Sequence, residues 1–122
     1  QTLITGDLLF VKHIPGIDGS LNGWIKVTRQ LIDFFERLPN ERHRMKIIPG
    51  HGPFQNDERG LKNQLNYLVN LKRSVQEALR DNISLQEAMK SINSELTEVW
   101  QISANYSKRN ISAAYAELEW ED

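Results

Sequence analysis

The segment Met45-Lys46-Ile47-Ile48-Pro49-Gly50-His51-Gly52-Pro53 constrains this chain more than any other. A short apolar run stops at a Pro-Gly break, and one histidine stands at its tip between two glycines. The run reads as a strand, and the glycines leave the imidazole without a crowding neighbour. Upstream, Leu3-Ile4-Thr5-Gly6-Asp7-Leu8-Leu9-Phe10 repeats the theme with a carboxylate beside a glycine. An imidazole and a carboxylate are both donors that zinc accepts. The rest of such a site is not evident. The only histidines are His13, His43 and His51, and no two of them stand two residues apart. The chain has no cysteine, so thiolate ligation and disulfides are excluded.

Around these two points the chain divides by its hydrophobic period. Residues 2–11 read as a strand, followed by a loop over 13–23 with turn signals at Pro15-Gly16, Asp18-Gly19 and Asn22-Gly23. Apolar residues at 24, 27, 31, 34, 35 and 38 mark one face of a helix, which Pro39-Asn40 stops. A charged connector at 41–44 leads into the second strand, at 45–48. Two strands joined through a helix predict a βαβ-like segment over 1–56, with a parallel or mixed sheet.

Beyond Pro53 the pattern is helical throughout. Asp57-Glu58 suits a helix start, and Leu61, Leu65, Leu68, Val75 and Leu79 follow at helical spacing up to a stop at Asp81-Asn82. Ser84 and Glu87 form a capping box for a helix burying Leu85, Ala88, Met89 and Ile92. A last helix over 107–119 offers Ile111, Ala114, Tyr115 and Leu118. Tyr67 and Trp100 read as core, Trp24 as capping the core face of its helix, and His43 as exposed. Residues 57–122 are thus a helical segment of the same domain, since 122 residues supply one core.

Two strands alone are not a stable sheet. Either the helices carry the core, or the strands pair with something outside this sequence. The second case exposes Leu3, Leu8, Phe10 and Ile47 and predicts self-association, most simply as a two-fold dimer. The net charge of −1 argues against a nucleic-acid surface. The longest apolar run, Leu8-Leu9-Phe10-Val11, is too short to cross a membrane. Acidic residues gather over 117–122, which reads as a solvated chain end. The opening at Gln1, directly in a strand-like run, reads as the cut end of a longer protein; the compartment is not encoded.

Thr5-Gly6-Asp7 at one strand end and Ile48-Pro49-Gly50-His51-Gly52-Pro53 at another place Asp7 and His51 44 positions apart. With Asp18-Gly19-Ser20 leading into a helix between them, and a long helix after the histidine, the chain resembles the C-terminal half of a metallo-β-lactamase-fold hydrolase. The likeness covers residues 1–80. The tail Asn110-Ile111 … Ala114-Tyr115-Ala116-Glu117-Leu118-Glu119 is similar to tails in a bacterial branch related to sulfur-oxidation and quinoprotein-relay hydrolases.

The resemblance implies an α/β chain, the C-terminal part of an αββα fold, helix-dominated with a small mixed sheet. It implies one or two metal ions, usually zinc, with Asp7 and His51 as ligands, and metal-assisted hydrolysis of a small-molecule substrate. His13, in the loop after the first strand, is the candidate for the substrate rim. The family's His-x-His-x-Asp-His segment is absent. Two ligands fall short of the three or four that zinc sites use. The expectation is therefore an inactive fragment that holds no zinc tightly, its partner being the missing N-terminal half of the fold. The alternative is a non-catalytic helical protein-interaction module in which Asp7 and His51 are turn residues.

Overall fold

Residues 2–12, 15–38, 46–96 and 104–121 are described by a computed structural model. In chain order they form β1 (Thr2–Phe10), α1 (Leu21–Glu36), β2 (Lys46–His51), α2 (Arg59–Arg80), α3 (Leu85–Leu96) and α4 (Ala104–Leu118). The chain is helix-dominated, with one small sheet. His13, His43, Trp100 and the 41–44 connector lie outside the described residues.

β1 and β2 pair in parallel, with Thr2 opposite Lys46 and Ile4 opposite Ile48. A helical crossover such as α1 suits that direction. The sheet is therefore parallel rather than mixed. Its one antiparallel contact among the described residues is an isolated bridge, in which Ile47 and Gln55 exchange backbone hydrogen bonds of 2.8 and 2.9 Å. β2 also runs three residues past the apolar stretch, through Pro49, Gly50 and His51. Pro49 is tolerated there because it falls where the register slips opposite Gly6, away from regular pairing.

The helices follow the periodicity, with shifts set by their caps. α1 begins at Leu21, ahead of Trp24, because the Ser20 hydroxyl accepts the Gly23 N–H at 3.0 Å and caps the helix. Asp57 stays just outside α2, accepting the Arg59 N–H at 3.0 Å. At the other end of α2, Asn82 adopts φ 54°. Its N–H meets the Leu79 carbonyl at 3.2 Å and the Ile83 N–H meets the Ala78 carbonyl at 2.8 Å. That double closure ends a helix with a left-handed residue. The Ser84 hydroxyl accepts the Glu87 N–H at 3.3 Å, one arm of the capping box.

Two apolar clusters share α2 as their spine. Leu21, Leu68, Leu71, Val75, Ala88 and Ile111 anchor a helical core. Leu9, Val11 and Ile47 pack with Ile32, Phe35 and Leu61 beneath the sheet, and Leu65 touches both clusters. Each fully buried leucine contributes about 1.5–3 kcal/mol. The helices thus carry most of the core and cover one face of the sheet. Ile47 is consequently buried, not exposed, and Leu3 and Phe10 are half-buried. Thr5, Leu9 and Val11 turn inward, while Ile4 (72% exposed) and Leu8 stay outside.

Candidate functional site

β1 does not run straight past β2. Its register slips between Ile4 and Gly6 and again between Gly6 and Phe10, where four steps on β1 match two on β2, from Pro49 to His51. Gly6 takes φ 54°, a conformation that suits glycine. The surplus residues bulge, as they do wherever one strand carries more residues than its partner. Asp7 sits on that bulge, with its side chain 84% exposed.

A bulge frees backbone groups, and here side chains satisfy them. Gln64, fully buried on α2, accepts the Phe10 N–H at 2.8 Å through Oε1. Its Nε2 donates to the Leu8 carbonyl at 2.7 Å and lies 3.3 Å from the Thr28 hydroxyl. The Trp24 indole N–H donates to the same Leu8 carbonyl at 2.9 Å. A primary amide carries both an acceptor and donors at one tip, so a single glutamine serves an N–H and a C=O together. Along Leu8–Phe10 these side chains do what a third strand would otherwise do.

His51 closes the other side. It lies opposite Phe10 in the register, and its carbonyl accepts the Val11 N–H at 2.8 Å. The imidazole stacks on the Phe10 ring, with centroids 4.4 Å apart and planes 10° from parallel. Phe10 meets Trp24 edge to face at 5.8 Å. The glycines beside His51 have steric causes. A Cβ on Gly50 would fall 2.5 Å from Asp7 Oδ1 and 2.6 Å from the Gly6 carbonyl. Gly52 has φ 101°, and a Cβ there would strike the Val11 carbonyl oxygen.

Asp7 and His51 are thereby brought together: His51 Nε2 stands 3.5 Å from Asp7 Oδ1. That spacing is too long for a good hydrogen bond. Two donors about 2.0–2.1 Å from one tetrahedral zinc ion would be roughly 3.3 Å apart. The pair thus has the donor types and separation to share one cation. Both side chains are open to solvent, and no third histidine, aspartate or glutamate joins them among the described residues.

A groove of about 510 Å³ opens beside Asp7, between β1 and the start of α1. Leu8, Phe10, Asp18, Trp24 and Val27 line it. Its rim is the 15–20 loop, which α4 holds in place. Asn110, nearly fully buried, accepts the Ile17 N–H at 2.9 Å and donates to the Pro15 carbonyl and, at 3.0 Å, to the Tyr67 hydroxyl. Burial pushes the Tyr67 phenol up to about 12, against the opposing pull of the Asn110 bond. Glu117 accepts the Leu21 N–H at 2.8 Å and the Ser20 hydroxyl at 2.5 Å. The acidic end of the chain is therefore partly structural, since Glu117 anchors the start of α1.

Gln64, Asn110 and Glu117 escape a reading based on hydrophobic period. Their one signal is a polar residue on an apolar stripe, as with Gln64 between Leu61 and Leu68. No model of a known protein family matches this chain, and no curated protein matches it either.

Proposed function

We propose that this chain is the C-terminal part of a zinc-dependent hydrolase of metallo-β-lactamase fold, to which it contributes Asp7 and His51 as metal ligands. The observation that carries this reading is the 3.5 Å approach of Asp7 Oδ1 and His51 Nε2 on adjacent parallel strands. Glycine at positions 6, 50 and 52 supports it: Gly6 takes the φ of 54° at the bulge, Gly50 leaves room for the Asp7 carboxylate, and Gly52 leaves room for the Val11 carbonyl. Bound zinc would supply Lewis acidity and a water acidified towards neutral pH. The chain's own part is to hold the carboxylate on the Gln64-braced bulge and the imidazole against Phe10. The remaining ligands come from the N-terminal half of the fold, so this chain alone binds zinc weakly and does not turn over a substrate.

The test is zinc content and hydrolysis in the longer protein. His51→Ala lowers metal occupancy and abolishes hydrolysis, and Asp7→Asn impairs activity while leaving the fold intact. His43→Ala does neither. Equal losses at His43 and His51 would refute the assignment.

Exposed Phe34 on α1, at 48%, and Trp120 just past α4, at 85%, favour a second reading, a non-catalytic helical interaction module. The same residues would serve self-association of the isolated chain. A longer protein free of zinc and indifferent to His51→Ala would leave that reading in place of the first.

A further inference from the structure

We propose that the groove between β1 and α1 is a binding site for a small organic cation, an ammonium group carried on an aromatic or branched alkyl body. The groove has the size of a small-molecule pocket at about 510 Å³. Its walls are Leu8, Val27 and the rings of Phe10 and Trp24, the rings meeting at 67°. Asp7 and Asp18 add two carboxylates to this lining, and none of the described residues lining it is basic. An aromatic corner attracts a cation through the ring quadrupoles, and a carboxylate beside it supplies the counter-charge. An anionic ligand would be repelled by both carboxylates.

The groove is also built before any ligand arrives. Gly16 and Asp18 belong to the rim loop that Asn110 pins through Ile17 N–H and the Pro15 carbonyl. Ser20 and the start of α1 are fixed by Glu117. Trp24 is held by its indole bond to the Leu8 carbonyl. Little ordering remains for binding to oppose, which favours affinity for a small ligand. Recognition needs no metal, because Asp18 lines the groove apart from the Asp7–His51 pair.

The test is titration of the metal-free, ¹⁵N-labelled chain with benzyltrimethylammonium, benzyl alcohol and phenylacetate, read at the Trp24 indole N–H. The cation shifts that resonance saturably, with the neutral alcohol roughly fivefold or more weaker, as cation–π attraction dictates. Phenylacetate leaves it unmoved. Asp18→Asn weakens the cation roughly threefold to fivefold, the range of an exposed charge pair. Equal binding of cation and alcohol would overturn the proposal, as would binding of phenylacetate, indifference to Asp18→Asn, or no shift at Trp24 at millimolar cation.

Discussion

The buried amide of Gln64 spans the bulge of β1, accepting the Phe10 N–H at 2.8 Å and donating to the Leu8 carbonyl at 2.7 Å. Phe10 carries the stacked His51, and Asp7 precedes Leu8, so both candidate ligands depend on this one side chain. Gln64→Leu keeps the packing volume but leaves a buried N–H without its partner and weakens the bonding at Leu8. The expected loss is about 2–3 kcal/mol by urea unfolding. A loss below about 0.5 kcal/mol would mean that water replaces the amide freely.

Glycine matters at positions 6 and 50 for different reasons, and substitution separates them. Gly6→Ala meets open space and suffers only from φ 54°, a strain of about 1–2 kcal/mol. Gly50→Ala drives a methyl into Asp7 and the Gly6 carbonyl, costing about 1–3 kcal/mol by overpacking and forcing the strands apart. Only the second should erase the ring-current shift that Phe10 imposes on the His51 protons. Loss of that shift in Gly6→Ala alone would reverse the assignment.

Tyr67 gives the chain an alkaline limit. Its phenol is raised from 10.0 to about 12 in the folded chain. The unfolded chain loses this proton first, so the contribution is complete below pH 10 and is lost as pH rises to about 12. The total is on the order of 2 kcal/mol. Tyr67→Phe should flatten the fall in stability across that window, at about 1 kcal/mol for the lost Asn110 hydrogen bond. Asn110→Ala should speed amide exchange at Ile17, which loses its acceptor. An unchanged alkaline slope in Tyr67→Phe would assign the transition to another group.

The helices and both strands are legible in the sequence because each rests on a local signal. Leu61, Leu65, Leu68 and Val75 repeat with helical period, and Asp81-Asn82 stops them where Asn82 turns left-handed. Asp7 and His51 are legible as a pair through their glycines. The bulge that joins them is not, since it arises from a register slip between segments more than forty residues apart and from a glutamine on α2. The supports of the rim loop are non-local too: Asn110 and Glu117 reach it across more than ninety residues. Ile47 is buried rather than exposed because helices cover its face of the sheet, and strand alternation alone does not say which face that is.

The central claim is that Asp7 and His51 serve one cation, and zinc titration of the isolated chain followed by NMR tests it most directly. Zinc should shift the His51 imidazole nitrogens and the Asp7 carboxylate carbon together, with an affinity weaker than micromolar because only two protein donors engage. Asp7→Asn should weaken the response at His51, and His43 should not share the paired shift. Zinc at millimolar concentration that leaves His51 and Asp7 unmoved, or moves His51 equally in Asp7→Asn, would contradict the account.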